Sequence, residues 1–281
     1  ATTVIYTLSL HDALPILKAS EQQSILLMDL DVEEPNSGIF IHADIVEEHQ
    51  MFRLVPQWNK NICSSCGKCV SLCRYNALLK LGDQILVLPD LCHGCHACSE
   101  LCPENALPMV NVPLGSLKHF RKASLDFVES KLDVGVEQAA PLIAKSIDLA
   151  DEVFYDKDFQ IVDCPPGTSC AMISATKTAD YVILVTEPTP FGLYDLTLAI
   201  DTMKHLEKPF GVVVNRYGIG NDDVFKYLES ESIPLLAAIP NQRKIAELYS
   251  KGKLLYPAVS EVEDALENIL NHLKELSCEK S

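Results

Sequence analysis

The sequence contains a run of cysteines that occurs twice, and this repeat constrains the fold more than any other feature. Residues 63–79 read CSSCGKCVSLCRYNALL, and residues 92–108 read CHGCHACSELCPENALP. Both copies have the spacing C-x2-C-x2-C-x3-C, and Asn-Ala-Leu follows shortly after the last cysteine. Three closely spaced thiolates can surround one corner of a metal centre, while the fourth is turned away from it. The repeat therefore predicts two metal centres that exchange their fourth ligand.

This spacing is the one found in bacterial ferredoxins that hold two [4Fe–4S] clusters. Zinc is the alternative, but zinc sites usually use two separated C-x2-C pairs rather than triplets with a trailing fourth cysteine. His93 and His96 lie between the cysteines, and we expect them to be loop residues because the cysteines already complete both sites. The predicted ligands are Cys63, Cys66, Cys69 and Cys102 for cluster 1, and Cys92, Cys95, Cys98 and Cys73 for cluster 2.

The two copies differ directly after the fourth cysteine. Pro103 follows Cys102, as is usual for this motif, whereas Arg74 follows Cys73. We expect this difference to change the local turn and to place a positive charge near one cluster.

Composition narrows the class of protein. The chain has 281 residues, 48% of them hydrophobic, and a net charge of −16. Such a charge repels a phosphate backbone, so we expect no nucleic-acid partner. The apolar runs are too short to cross a bilayer, and residues 1–16 lack the features of a signal peptide, so we expect no membrane association. Eleven cysteines without a secretion signal favour metal binding in a reducing compartment, which predicts a cytoplasmic protein.

The cysteine repeat interrupts a different pattern. Short continuous apolar runs suit strands that are buried on both faces, as in a parallel sheet covered by helices. Helical patterns alternate with these runs, so the sequence predicts an α/β fold with a doubly wound, mostly parallel sheet. The predicted strands lie at 24–31, 159–167, 181–188, 210–215 and 234–240. Ligands of such sheets bind beyond the carboxyl ends of the strands, where this sequence places several polar residues.

Several segments together resemble the MinD/ParA-type P-loop ATPases, in the subgroup with a two-cluster [4Fe–4S] ferredoxin domain inserted after the second strand. The resemblance covers roughly residues 17–277 and rests on LLMDLDVEEPN (26–36), LDVG (132–135), IVDCPPGTSC (161–170), VTEPTPFGLYDL (185–196), VVVNRYGIG (212–220) and IPNQRKIAELYSKG (239–252), together with the cysteine repeat. It implies three segments: residues 1–53 and 113–281 form the ATPase domain, and residues 54–112 form the inserted ferredoxin domain.

The resemblance also implies roles for single residues. Asp163 corresponds to the aspartate that holds Mg²⁺ through water, and Asp31 to the residue that orients the attacking water. Asp29 supports the metal site, and the Gly167 amide faces the γ-phosphate. The residues implied to contact the base are Asn215, Pro240 and Asn241.

The implied function is an ATPase that uses ATP and Mg²⁺ and couples nucleotide state to electron transfer or to iron–sulfur handling through two [4Fe–4S] clusters. A redox or iron–sulfur partner protein follows from this, and a nucleotide-dependent homodimer stays open. Two alternatives also stay open: an electron-transfer or docking module without turnover, and a carrier that assembles or delivers clusters.

The phosphate loop of this family, K-G-G-x-G-K-T, does not occur where the resemblance requires it. Residues 1–24 contain no glycine, and residues 7–16 read TLSLHDALPI. A common short-read sequencing adapter translates into the same ten residues. We therefore predict that residues 7–16 are translated adapter joined in frame to a truncated gene, that residues 1–16 are not native, and that tight ATP binding is lost in this chain.

Resequencing of the locus across the codons for residues 7–16 tests this prediction. We expect the genomic DNA to lack the adapter nucleotides and to encode a glycine-rich phosphate loop instead, because the rest of the nucleotide site is present in the sequence. Adapter nucleotides in independently amplified genomic DNA would contradict the prediction.

Overall fold

The computed structural model describes residues 2–7 and 23–279, with side chains for residues 23–276. The predicted adapter stretch therefore lies almost wholly outside the described residues. The strands are β1 (Thr2–Thr7), β2 (Ile25–Asp29), β3 (Asp44–Pro56), β4 (Leu78–Leu81), β5 (Gln84–Val87), β6 (Met109–Lys122), β7 (Leu125–Leu132), β8 (Phe159–Asp163), β9 (Tyr181–Thr186), β10 (Phe210–Tyr217) and β11 (Leu235–Pro240).

Nine of these strands form one sheet in the order β11-β10-β9-β1-β8-β2-β7-β6-β3. Neighbours from β11 to β7 are parallel, whereas β6 and β3 extend the sheet in antiparallel fashion. The strands β4 and β5 form a separate two-stranded sheet.

Helices cover both faces of the main sheet. Helices α1 (Lys68–Leu72) and α2 (Ala97–Glu100) lie in the cysteine-rich segment instead. The helices of the sheet are α3 (Ala139–Val153), α4 (Cys170–Thr176), α5 (Pro190–His205), α6 (Asp223–Ser230), α7 (Arg243–Tyr249) and α8 (Ser260–Glu279), and short 3-10 turns lie at Ser37–Ile39 and Pro89–Leu91. No helix in the described part of the chain has the length and apolar character needed to cross a bilayer.

The core has two layers because successive residues of a strand point to opposite faces. In β2, Leu26 and Met28 belong to the hydrophobic cluster under α3 and α5, whereas Ile25 and Leu27 belong to the cluster under α8. All five residues of β2 are buried. The doubly wound, mostly parallel α/β fold expected from continuous apolar runs is confirmed.

The sequence analysis did not anticipate β3, β6 and β7. Most residues of β3 are exposed, and its first half is rich in charged residues (DIVEEH), so it lacks the continuous apolar character used to recognise buried strands. Charged side chains on an outer strand also hinder pairing with further chains. The antiparallel strands β3 and β6 and the neighbouring β7 were missed, whereas the parallel strands β2, β8, β9, β10 and β11 were predicted.

The cysteine-rich segment leaves the sheet between β3 and β6. These two strands pair from Asp44 and Arg121 at one end to Pro56 and Met109 at the other, so residues 57–108 start and finish side by side. The predicted domain limits at 54 and 112 fall within the two strands, and the division into domains stays a prediction.

A buried carboxylate ties β6, β7 and the segment before β8 together. Asp126 is 2% exposed, and its oxygens lie 2.6 Å from His119 Nε2, 2.7 Å from Arg121 Nε and 2.5 Å from Lys157 Nζ. Burial alone would raise the pKa of Asp126, but the hydrogen bonds from Lys157, Arg121 and His119 hold it below its ordinary value.

Replacing Asp126 with Asn tests how much this network stabilises the sheet. At neutral pH we expect the free energy of unfolding to fall by about 3 kcal/mol, because the largely buried Lys157 ammonium loses its counter-charge. Since the folded-state pKa of Asp126 is lowered, its contribution is present above the unfolded pKa and is lost as pH falls through the folded pKa. Urea unfolding of both proteins should therefore show a difference that shrinks in acid. A difference independent of pH would contradict an ionic origin.

Candidate functional site

The eight cysteines of the repeat gather into two separate sets, and each set takes its fourth member from the other copy. Each set lines one pocket. The first pocket is lined by Cys63, Cys66, Cys69 and Cys102, and the second by Cys92, Cys95, Cys98 and Cys73. All eight are free thiols. The grouping is the one that the spacing predicts, although the ligand role of each cysteine stays a prediction.

The electrostatics of the thiols reflect the same grouping. Burial and, to a smaller extent, the charges of Cys92, Cys95 and Cys73 together raise the pKa of Cys98 to about 11. Burial also raises the pKa of Cys69, with further increases from Cys102 and Cys63. Thiolates brought together in this way repel one another, and bound iron removes that repulsion. The donor sets therefore fit anionic, cysteine-bound metal clusters.

No three His, Cys, Asp or Glu side chains among the described residues are grouped as ligands of a single metal ion. A [4Fe–4S] cluster has a different requirement, because each of its four cysteines binds a different iron atom.

The repeated Asn-Ala pair has a structural role in both copies. Asn76 and Asn105 adopt left-handed conformations with φ of 54° and 51°. This turn points the next amide at the preceding cysteine, so Ala77 N donates to Cys73 Sγ at 3.3 Å and Ala106 N donates to Cys102 Sγ at 3.3 Å. Hydrogen bonds to cysteine sulfur tune the reduction potential of a cluster.

The expected effect of Arg74 on the local turn is wrong. Despite the exchange of proline for arginine, the turn after Cys73 has the same Asn conformation and the same N–H···S distance as the turn after Cys102. The reason is that the asparagine and the sulfur acceptor define the turn, whereas the residue directly after the cysteine does not.

A second group of site residues lies at the carboxyl ends of β2 and β8. Asp29 and Asp163 are partners across these neighbouring strands, and both are buried. Burial raises the pKa of Asp163 well above its ordinary value, and the charges of Asp29 and Asp31 raise it further. Burial likewise raises the pKa of Asp29 and of Asp31. Carboxylates and water are the ligands that Mg²⁺ prefers, and such a cation would offset the repulsion among them.

The connection after β2 folds back onto Asp29. Asp29 Oδ2 accepts hydrogen bonds from the amides of Asn36 and Ser37 at 3.0 and 2.9 Å, and Oδ1 accepts one from the Asp31 amide at 3.2 Å. Ser37 Oγ also donates to Asp163 Oδ2 at 3.4 Å. Sequence analysis missed Ser37, because a serine after Pro-Asn reads as an ordinary loop residue.

The loop after β8 carries Gly167 with φ of +87°, a conformation that favours glycine. The glycine is exposed, and a Cβ placed on it would meet no atom within 4 Å. Glycine is needed here for its backbone conformation rather than for close packing. Its exposed position leaves the amide accessible in the loop between β8 and α4.

The three residues implied to contact a base come together at one pocket of about 420 Å³ beyond β10 and β11. Asn215, Pro240 and Asn241 line it, next to Arg216 and Tyr249. The Asn215 side chain accepts a hydrogen bond from the Arg216 amide at 2.8 Å through Oδ1, which leaves its NH₂ group as the donor. Because β10 and β8 belong to the same parallel array, the pocket and the carboxylates share one edge of the sheet.

Comparisons with known proteins agree with this geometry. Residues 103–274, more than half of the chain, match the family described as ParA, NUBPL iron-transfer P-loop NTPase. The chain belongs to this family. Residues 85–107 of this NUBPL-type NTPase, which include the second cysteine run, match the 4Fe-4S binding domain.

Individual relatives support the same assignment. The uncharacterized protein MJ0579 of Methanocaldococcus jannaschii is 27% identical over 83% of this chain and 81% of its own length. The iron-sulfur cluster carrier protein of Pyrococcus horikoshii is 31% identical over 48% of this chain and 54% of its own length.

Among solved structures, the septum site-determining protein MinD of Pyrococcus horikoshii, complexed with Mg-ADP, has a TM-score of 0.60 at 16% identity and covers 100% of this chain and 98% of its own. The cell division ATPase MinD of Pyrococcus furiosus has a TM-score of 0.57 at 16% identity, covering 98% of this chain and 100% of its own. At these identities the likeness shows a MinD-like fold.

The crossed cysteine sets of this NUBPL-type NTPase can be tested with paired substitutions. Cys73→Ala combined with Cys98→Ala removes two ligands of one predicted cluster, so anaerobically purified protein should keep about half of the wild-type iron. Cys73→Ala combined with Cys69→Ala removes one ligand of each, so both clusters should be lost.

The control for these variants is Cys170→Ala, which should keep the full iron content, because Cys170 lies outside both pockets. If the Cys69 and Cys73 pair kept half of the iron while the Cys73 and Cys98 pair lost all of it, each run would hold its own cluster and the crossed assignment would be wrong.

Proposed function

We propose that the protein with an intact phosphate loop is a nucleotide-controlled iron–sulfur protein that transfers electrons through two [4Fe–4S] clusters. The observation that carries the proposal is the gathering of eight cysteines into two crossed sets of four, each lining its own pocket. Each cluster, when bound, takes up or releases one electron. Sites with all four ligands supplied by one chain suit resident clusters, which favours electron transfer over delivery of the clusters themselves.

The nucleotide half of the proposal rests on the carboxylates and the base pocket. Asp163 would hold Mg²⁺ through water, with Asp29 fixing the connection around it. Asp31, which is half-buried beside them, would orient the attacking water. The Gly167 amide would face the γ-phosphate. Asn215, Pro240 and Asn241 would bind the base of ATP in the pocket that they line. The loop that cradles the phosphates in this family follows the first strand, where this sequence reads TLSLHDALPI instead.

A chain of contacts supports coupling between the two halves. The loop after Asp163 leads into α4, and Ser174 of α4 donates a hydrogen bond to the Ala140 carbonyl of α3 at 3.5 Å. Gln138, just before α3, accepts a hydrogen bond from Arg53 at 2.6 Å. Arg53 also donates to the carbonyl of Cys92, a predicted ligand of cluster 2, at 3.3 Å. A movement of the loop on nucleotide binding would therefore reach the second cluster.

The second candidate is transfer of iron or whole clusters to an acceptor protein. The family match and the relatives named iron-sulfur cluster carrier proteins favour it. Either function suits the reducing cytoplasm, where we expect the protein to act with a redox or iron–sulfur partner. A nucleotide-dependent homodimer remains part of the proposal.

One experiment separates the two candidates. The full chain is purified without oxygen, and a second version carries K-G-G-T-G-K-T in place of residues 9–15, directly after β1. We expect this replacement to confer Mg²⁺-dependent ATP binding, since backbone amides and lysines of such a loop bind the phosphates. ATP hydrolysis is then measured with the clusters oxidised and with the clusters reduced.

Under the electron-transfer proposal, the rate of hydrolysis should differ several-fold between the two redox states, and the iron should stay on the protein in the presence of an apo-ferredoxin. Adding Asp163→Asn to the loop-replaced protein should abolish hydrolysis in both states. A rate of ATP hydrolysis that is the same in both redox states, together with ATP-dependent transfer of iron to the apo-ferredoxin, would instead establish the carrier function.

A further inference from the structure

A groove of about 410 Å³ lies between the second cysteine set and the segments that follow the buried carboxylates. One wall is formed by the cysteine-rich segment, and the other by the connection after β2 and the first turns of α3 and α4. The lining residues used below are Glu33, Tyr75, Asp90, His93, Glu137 and Cys170.

Two stacked rings separate the groove from the second cysteine set. Tyr75 and His93 have ring centroids 3.9 Å apart and planes inclined by 18°. Both rings line the groove and also line the pocket of the second set. Among the described residues, none that lines the first set's pocket also lines the groove. The groove is therefore adjacent to the second predicted cluster and not to the first.

A buried arginine holds the floor of the groove in place. Arg53 is 5% exposed, and its guanidinium lies 3.5 Å from the Asp90 carboxylate and 2.6 Å from Gln138 Oε1. Gln138 Nε2 in turn donates to the Asp90 carbonyl at 2.7 Å. These contacts fix the cysteine-rich segment against the start of α3, so the groove has a defined shape.

The opposite wall comes from the candidate nucleotide site. Glu33 stands two residues after Asp31, and Cys170 begins α4 at the end of the loop that carries Gly167. A change in either connection would alter the width of the groove.

The charged side chains that line the groove are acidic. Glu33, Asp90 and Glu137 line it, and no Lys or Arg is among its lining residues. The Asp90 side chain is 87% exposed despite its contact with Arg53, and the Tyr75 ring is 45% exposed beside it. An acidic rim around an exposed aromatic ring is complementary to a cationic protein surface.

We propose that this groove is the docking site for a cationic segment of the protein that exchanges electrons with the second cluster. The inference rests on the proposed function, because it needs that cluster to be present. The stacked rings of Tyr75 and His93 would carry one electron from the second cluster, when it is bound and reduced, to the metal centre of the acceptor. The acidic side chains position the partner. The connection after β2 and the loop before α4 set the width of the groove in which the partner binds.

Horse cytochrome c, a cationic one-electron acceptor, is the probe. The anaerobic full chain is reduced, and the rate of cytochrome c reduction is followed at low and high salt. Glu33→Gln combined with Glu137→Gln should slow the reaction several-fold at low salt and reduce its salt dependence, since these charges attract the acceptor. The matched control, Glu152→Gln with Glu229→Gln, removes the same charge from exposed positions elsewhere and should leave the rate near that of the wild type.

The ring route is tested separately. Tyr75→Leu should slow electron transfer at saturating cytochrome c without weakening its binding, and Tyr75→Phe, which keeps the ring, should restore the rate. Iron content and the electron paramagnetic resonance of both clusters are measured in every variant. Missing clusters would contradict the proposed function. Intact clusters with equal rates in the groove and control variants, or no reduction of cytochrome c by the wild type, would overturn the docking site.

Discussion

The repulsion among three carboxyl groups at the ends of β2 and β8 is the constraint on which the rest of the site depends. Asp29 and Asp163 face each other across adjacent strands, out of contact with water, and Asp31 adds a third charge. The amides of Asn36 and Ser37 donate hydrogen bonds that offset part of this repulsion at Asp29, whereas the Asp163 carboxylate accepts a hydrogen bond from the Ser37 hydroxyl. Burial is the main cause of the raised pKa of Asp163, and the charges of Asp29 and Asp31 add to it. A cation at this point would change the charge balance that holds the connection after β2.

The repeat makes the two cysteine sets equal in ligand type, but their surroundings differ. In the second set, the buried guanidinium of Arg53 donates a hydrogen bond to the Cys92 carbonyl, and the stacked rings of Tyr75 and His93 lie at the edge of the pocket. The pocket of the first set is lined by Trp58, Lys68 and Glu104 instead. Hydrogen bonding, nearby charge and solvent access are what set a cluster's potential. Two clusters in these sites would therefore differ in potential, which gives an electron a preferred direction between them.

The parts of this structure that the sequence could predict are those whose physical cause is local. Continuous apolar runs require burial on both faces, so β2, β8 and β9 were recognisable. The spacing of the cysteines dictates which sulfurs can meet. By contrast, β3 is exposed and charged, and only its pairing with β6 makes it a strand. Arg53 reads as one surface charge in that strand, although folding buries it against Cys92 and Gln138. Its role depends on contacts between residues far apart in sequence, which no local pattern records.

The same long-range contacts explain how one edge of the sheet can serve two kinds of chemistry. The parallel strands bring the carboxylates and the base pocket to that edge, while β3 and β6 carry the cysteine-rich segment away from the sheet and back. Helix α4 follows the loop after β8 and contacts α3 through Ser174, while Gln138, just before α3, contacts Arg53 of β3. Packed helices shift as units because their interiors are densely filled. A loop with a left-handed glycine, such as the one before α4, can change conformation more readily than the helices that it joins. Movement would therefore start in the Gly167 loop and pass through the helix pair to Arg53 and the second cysteine set.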